Sequence, residues 1–288
     1  MEDIKLEIKD LHMKYATKVA IEKMNLELTP GIYGLLGPNG AGKSTLMNII
    51  TDNLKATSGE ILYGGENIVS MGSAFRRLIG YMPQQQGMYD QFSAKRFLQY
   101  VSAIKGVPKK QAKEQIEKYL QMVGLDHVAG SRLGSFSGGM RQRIMFAATM
   151  LGEPKVFLFD EPTAGLDPEE RIKIRNYISK ISGDSIVILA THVVSDVECI
   201  ADKIILMNGG NIIKNETPHE LIRGVEDKVF EMKCTTEDIE RLNDTYKKGN
   251  IRQGKDGLYF RVVADEKPEG FETIKGEANL EDVYLYYF

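Results

Sequence analysis

Apolar and polar positions alternate along the N-terminal segment, in one run through Ile4, Leu6 and Ile8 and another through Ile21, Met24, Leu26 and Leu28. A period of two predicts antiparallel strands with one face buried. The pattern then changes to continuous apolar runs: Ile32-Tyr33-Gly34-Leu35-Leu36, Val156-Phe157-Leu158-Phe159 and Ile186-Val187-Ile188-Leu189-Ala190. Such runs fit strands of a parallel sheet covered on both faces. Ile79-Gly80-Tyr81-Met82 is a further strand stopped by Pro83, and Glu60 to Tyr63 ends in a Gly64-Gly65 turn.

Between these runs the apolar spacing is helical. Leu46, Ile49 and Ile50 form one such face, and segments Ser93 to Ile104 and Pro108 to Val123 form others, the last stopped by Gly124. Met140, Ile144, Ala147 and Leu151 predict one buried face of a helix capped by Ser137, and Asp167-Pro168 opens another helix. Lys203 to Met207 and Asn211 to Lys214, joined by Gly209-Gly210, read as a closing hairpin. Beyond Gly224 the composition shifts. Val229 to Cys234 is strand-like, a helix is capped at Thr235 or Thr236, Leu258 to Val263 alternates, and Leu280, Val283, Tyr284 and Tyr287 share a last helix face.

The predicted fold class is α/β: a core with a mostly parallel sheet, an N-terminal antiparallel β subdomain, a helical subdomain over about residues 85–152, and a small C-terminal α+β appendage. The expected division is a main domain over 1–224 and an accessory domain over 225–288. A chain of 288 residues, 42% hydrophobic and 27% charged, has room for both. Charge adds an exclusion. The net charge is −3, with ten basic and fifteen acidic residues after position 224. The tail therefore carries −5 and the remainder +2, and neither is a basic arm, so no nucleic-acid partner is expected.

Cys199 and Cys234 are too few and too far apart for a disulfide framework or metal set, which points to a reducing compartment. No apolar run approaches the ~18 residues of a membrane span, and Met1-Glu2-Asp3-Ile4-Lys5 lacks the apolar core of a signal peptide. The chain is expected not to cross a membrane unaided.

The chemistry gathers at the ends of the buried runs. Gly37-Pro38-Asn39-Gly40-Ala41-Gly42-Lys43-Ser44-Thr45 lies between the first buried run and a helix, in the full phosphate-binding P-loop pattern. Its glycines allow backbone N–H groups to converge on a polyphosphate, the helix adds its positive end, Lys43 adds a charge, and the Ser44 hydroxyl is placed to ligate Mg²⁺. Val156 to Phe159 ends in Asp160-Glu161, two acids where ligands bind in open α/β sheets. Two carboxylates there call for a partner, which Mg²⁺ and water would supply. His192 stands at the end of another buried run, and Ser137-Gly138-Gly139-Met140 opens a second helix with free N–H groups.

Taken in order, these motifs resemble those of ATP-binding cassette ATPases, the nucleotide-binding subunits of ABC transporters, over roughly residues 4 to 224. The resemblance matches Gly37 to Thr45 to the Walker A loop, Ser137 to Met140 to the signature motif, Asp160-Glu161 to the Walker B end and Ala164-Gly165-Leu166-Asp167 to the D-loop. The commonest signature reads Leu-Ser-Gly-Gly-Gln, where this chain has Phe136 and Met140. The resemblance implies ATP and Mg²⁺ as cofactors and gives roles to single residues. Tyr15 would stack on adenine, Gln84 would complete the Mg²⁺ shell and sense the γ-phosphate, Asp160 would bind Mg²⁺ through water, Glu161 would polarise the attacking water, and His192 would contact the γ-phosphate.

It also implies a head-to-tail pair with a second such subunit, identical or related, each ATP lying between one Walker A loop and the other's signature helix. A separate transmembrane permease would carry the load, placing the chain in the cytoplasm on the inner face of the membrane. That permease is expected to dock near Gln84 to Tyr100, where Met82, Met88, Tyr89, Phe92, Phe97 and Tyr100 offer a mix suited to an adaptable groove, although packing in the core explains several of them just as well. A single cassette with a short α+β tail looks like bacterial export-type systems for drugs, peptides or lipid-like molecules. The rivals are a soluble cassette ATPase acting on a macromolecular complex, a P-loop GTPase, and a regulator that binds ATP without turnover. The single cassette, the missing Asn-Lys-x-Asp guanine reader, and the intact Glu161 and His192 weigh against each in turn.

Overall fold

Alternation along the N-terminal segment closes into a small antiparallel sheet. In the computed structural model, which describes residues 4–84, 87–246, 249–254 and 257–288, β1 (Leu6–Tyr15) pairs with β2 (Lys18–Leu28), Leu6 facing Leu28 and Ile8 facing Leu26. The alternation slips in both strands, at Asp10 in β1 and at Lys23 in β2. At Asp10, where φ is 46°, a bulge lets both Ile8 and Leu11 point inward, and the Asp10 N–H donates to the Asn25 Oδ1 at 2.9 Å to hold it.

The continuous apolar runs form the second sheet. β3 (Gly31–Leu36) leads to α1 (Lys43–Ile50), and β4 (Ser58–Tyr63) and β5 (Glu66–Asn67) complete the first sheet in the order β2-β1-β4-β5. Two short helices, α2 (Ile68–Met71) and α3 (Ser73–Arg77), precede β6 (Ile79–Met82). The helical part comes next, as α4 (Ala94–Ile104), α5 (Lys109–Met122) and α6 (Gly138–Met150). The chain then runs through β7 (Val156–Asp160), α7 (Pro168–Ile181), β8 (Ile186–Ala190), α8 (Val194–Glu198), β9 (Lys203–Asn208) and β10 (Asn211–Glu216). The second sheet has the order β10-β9-β3-β8-β7-β6, in which β6, β7, β8, β3 and β9 run parallel to one another.

Both faces of this sheet are covered, which is why its strands read as unbroken apolar runs. Val156, Leu158, Ile186 and Ile188 pack in one core with Leu46, Met47 and Ile50 of α1. On the alternate positions the Phe159 ring stacks on Phe146 of α6 at 5.6 Å between centroids. The helix α6 departs from its expected single buried face. Besides Ile144 and Ala147 it buries Gln142, Phe146, Ala148, Thr149 and Met150, because it is enclosed by α4, α5, α7 and β6.

Contacts divide the chain into Met1–Asn215 and Glu216–Phe288, whereas the composition changes at Gly224. The C-terminal unit holds α9 (Pro218–Arg223), β11 (Val229–Cys234), α10 (Thr236–Thr245), β12 (Asn250–Gly254), β13 (Gly257–Val263), β14 (Thr273–Lys275) and α11 (Leu280–Tyr287). Its antiparallel sheet runs β12-β13-β11-β14. Met232, Cys234, Phe260 and Val262 pack against Leu242 of α10. On the opposite face Arg261 donates to Asp282 of α11 through Nε at 3.0 Å and Nη2 at 2.6 Å, and to Glu231 through Nη1 at 2.8 Å. The buried carboxylates thus have a fork-shaped cationic partner.

Candidate functional site

Parallel pairing decides where the chemistry meets. Leu35 lies beside Ala190, Ala190 beside Asp160, and Met82 beside Phe159, so the segments leaving β3, β8, β7 and β6 emerge from one edge of the sheet. Those segments are the Gly37–Thr45 loop, Thr191-His192, Asp160-Glu161 and Pro83-Gln84. Ligands of open parallel sheets bind at this carboxyl edge.

The loop is shaped by glycines that could be nothing else. A Cβ on Gly37 would lie 2.1 Å from the Met207 carbonyl oxygen and one on Gly42 2.5 Å from that of Ala20, and Gly42 caps α1 with φ at 106°. No side chain caps α1, so its first N–H groups face outward. Ala41 N–H donates to Pro38 O at 3.1 Å, closing the turn that Asn39 and Gly40 make. Lys43 Nζ donates to Gly37 O at 2.5 Å and Pro38 O at 3.1 Å. Burial pushes the Lys43 ammonium below its ordinary range, opposed by the nearby carboxylates of Glu161 and Asp160. Ser44 is exposed at the first turn, with Thr45 half-buried behind it. The Tyr15–Lys18 turn lies beside the loop, the Lys18 Nζ being 3.5 Å from where a Gly40 Cβ would stand. Tyr15 keeps 45% of its surface exposed, an open ring face near the phosphate loop.

Asp160 is pushed above the usual carboxylate range by burial and by Glu161, with Lys43 pulling the other way. Glu161 is held at three points by three consecutive residues. Its N–H donates to Ala190 O at 2.8 Å, its Oε2 accepts from the Thr191 hydroxyl at 3.2 Å, and its Oε1 lies 2.8 Å from His192 Nδ1. Its φ is 52°, a left-handed conformation unusual for a residue with a side chain and common at functional sites. The carboxylate is nearly covered, at 11% exposure, while the His192 side chain is 65% exposed.

The second helix start is different. Ser137 caps α6 by accepting from Met140 N–H at 3.2 Å. A Cβ on Gly138 would meet nothing, whereas one on Gly139 would come within 2.8 Å of Glu170 Cγ. Glu170 sits 3.0 Å from Arg143 Nε, and Gln142 donates to Pro162 O, so α6 is tied to α7 and to the segment that follows Glu161. Among the described residues no hydrogen bond, ion pair or ring contact joins Ser137, Gly138, Gly139 or Met140 to Lys43, Glu161 or His192. Lys43, Ser44, Gln84, Asp160, Glu161 and His192 thus follow strands that end at one sheet edge, while the Ser137 group has no described contact with Lys43, Glu161 or His192.

Gln84 is exposed beyond β6, and Gln85 and Gln86 lie outside the described residues. Along the expected docking stretch, Met82 and Phe97 prove to be core residues, at 0% and 4% exposure, because β6 and α4 face inward there. The surface aromatics are Tyr89, Phe92 and Tyr100, with ring centroids 5.0 to 6.1 Å apart and the Arg96 guanidinium over Phe92 at 4.2 Å.

Sequence reasoning passed over Thr191, Thr163 and Asp196. Thr163 donates to the buried Asp196, which also contacts Arg175 at 3.4 Å, linking the segment after Glu161 to α8. The one signal was the threonine directly before His192 at a strand end.

Among the described residues no three His, Cys, Asp or Glu side chains are grouped to hold a metal. One carboxylate, a serine hydroxyl and an amide are hard oxygen donors, a set that fits Mg²⁺ sharing its shell with phosphate and water and does not fit zinc.

The family model described as ABC transporter matches residues 21–164. The chain is 30% identical to the Nod factor export ATP-binding protein I of Cupriavidus metallidurans, over 97% of this chain and 96% of that one. It is 35% identical over 66% of its length to ABC transporter A family member 1 of Dictyostelium discoideum, and spans only 22% of that longer protein. Among solved structures it superposes on cbiO1 of Clostridium perfringens, part of the ABC transporter complex cbiONQ, with a TM-score of 0.70 at 26% identity over 84% of this chain and 95% of the other.

Proposed function

The chain belongs to the ABC transporter family as an ATP-binding subunit, an ATPase that uses ATP with Mg²⁺, and from that premise we propose that it powers a separate transmembrane permease by closing head-to-tail on a second cassette. The observation that supports this is the split site: the P-loop, Asp160, Glu161 and His192 share one edge, while the Ser137 helix start caps itself and, among the described residues, makes no contact with Lys43, Glu161 or His192. A γ-phosphate on one P-loop is left half-exposed, and the N-terminus of a partner's α6 supplies the missing donors.

In this reading Lys43 leaves the Gly37 and Pro38 carbonyls for the β- and γ-phosphates, and Tyr15 stacks on adenine. Ser44, Gln84 and Asp160 would hold Mg²⁺, which neutralises charge on the phosphates. Glu161 orients and polarises the attacking water, and His192, being exposed, turns from Glu161 to the γ-phosphate. Phosphoryl transfer needs little more than this positioning and charge neutralisation.

The Tyr89, Phe92 and Tyr100 cluster with Arg96 is the surface offered to the permease, and the cargo is an exported drug-, peptide- or lipid-like molecule, in keeping with the Nod factor export relative. The chain then works at the cytoplasmic face of the membrane through that permease. Among the described residues no helix is long and apolar enough to cross a membrane. Co-purification with a membrane chain encoded beside it is the test of a separate permease.

The central experiment is Glu161→Gln. Turnover is expected to fall about 10²- to 10⁴-fold, the usual contribution of a general base, with Mg-ATP binding kept and an ATP-bound dimer accumulating on a sizing column. Parent-rate hydrolysis by this variant would remove Glu161 from the mechanism. A variant that binds ATP but stays monomeric at every concentration would remove the head-to-tail pair.

A further inference from the structure

Glu161 is gripped by two side chains of opposite mobility. His192, at 65% exposure, can leave, whereas Thr191, at 0% exposure, cannot. The orientation of the Thr191 hydroxyl follows from its neighbours. Val193 N–H donates to Thr191 Oγ1 at 3.0 Å, occupying one of the oxygen's two lone pairs, and the hydroxyl donates its one hydrogen to Glu161 Oε2 at 3.2 Å, because an ionised carboxylate can only accept. The chain Val193 N–H, Thr191 O–H, Glu161 carboxylate is a relay with one polarity. Lys43 and Asp160 also face Glu161, but through charge, which does not fix the plane of the carboxylate. The backbone bond from Glu161 N–H to Ala190 O fixes the main chain and leaves the side chain free.

We propose that Thr191 is the positioning residue that keeps the Glu161 carboxylate aimed at the attacking water after His192 has turned to the nucleotide. The inference rests on Glu161 being the group that orients water. In the closed state His192 no longer holds Oε1, and without Thr191 the carboxylate would rotate about its last bond on a left-handed backbone that gives it no other support. With Thr191 in place Oε2 stays tied and Oε1 is left for water.

The test uses the full chain and three variants. Thr191→Val and Thr191→Ala both remove the hydroxyl and differ in volume, so an effect common to both belongs to the hydroxyl. Thr191→Ser keeps it. Each of the first two is expected to lower kcat about tenfold, in line with losing one hydrogen bond to a charged group, with the KM for ATP and equilibrium binding of a fluorescent ATP analogue changed less than about twofold. Thr191→Ser is expected within about twofold of the parent. In a Glu161→Gln background, Thr191→Val should lower residual single-turnover hydrolysis by less than about twofold, because a residue acting through Glu161 has nothing further to act on.

A parent-like kcat in Thr191→Val and Thr191→Ala, a loss in Thr191→Ser as large as theirs, or a full additional loss in the Glu161→Gln background would overturn the proposal. The two readings fail separately. If Glu161→Gln hydrolyses ATP at the parent rate, the assignment of Glu161 is lost. If that variant is inactive and the hydroxyl-free variants are not impaired, only Thr191 is.

Discussion

Two helices of the cassette begin at glycines, and they begin in opposite ways. At α1 the cap is Gly42 in a left-handed conformation with no side-chain acceptor, and the adjoining Lys43 bonds to carbonyls of its own loop. At α6 the cap is Ser137, whose hydroxyl already accepts from Met140 N–H, and Gly138 stands beside open space. A helix start with unpaired N–H groups and a positive end is an anion site in waiting. A helix start with its own serine cap is stable alone and has room for a guest over Gly138. The difference teaches that α1 is built to take the first grip on a phosphate, and α6 to add a second grip without needing one in order to fold.

Three substitutions press on that contrast. The largest effect is expected from Gly42→Ala, whose Cβ would lie 2.5 Å from the Ala20 carbonyl at a φ of 106°. Strain of ~3 kcal/mol should weaken Mg-ATP binding about a hundredfold by equilibrium titration, and parent-like binding would show that the loop can be rebuilt without glycine. Next comes Gly138→Ala. Its Cβ meets nothing in the single chain, so thermal unfolding should show unchanged or slightly raised stability, by about 0.5 kcal/mol from helix propensity. Turnover should nevertheless fall about tenfold, since in the proposed pair a partner's phosphate approaches that surface. Normal turnover in this variant would remove the reason to invoke a partner there. The smallest effect belongs to Ser137→Ala, which should lower folding stability by about 1 kcal/mol through loss of the cap and leave Mg-ATP binding by the single chain untouched, as read by denaturant unfolding and titration.

Much of the site was legible in the sequence because local spacing determines local chemistry. Gly37 to Thr45, Asp160-Glu161 and His192 each follow a buried run, and pairing of those runs in parallel carries their ends to one edge whatever the details. The antiparallel subdomain was legible through its period of two, apart from the irregularities at Asp10 and Lys23, which reverse the alternation without leaving a mark in composition. What escaped were contacts between residues distant along the chain. Glu170 backing Gly139, Gln142 on Pro162, and Arg261 between Glu231 and Asp282 join positions whose own neighbourhoods say nothing of the partner. Met82 and Phe97 show the converse, where apolar residues that the sequence left open between surface and core face the core because their strand or helix is turned inward.

By itself, then, the amino-acid order determined the α/β class, the phosphate loop and which acids and histidine stand at strand ends, since these depend on hydrophobic period, turn chemistry and short motifs acting over a few residues. Only the tertiary structure decided that Thr191 and His192 share one carboxylate, that Glu161 adopts a left-handed backbone, and that the Ser137 hydroxyl is taken up by the Met140 N–H. Those outcomes depend on directions in space: which way a strand end points, which side of a helix is enclosed, and which hydrogen bond a buried hydroxyl has already made.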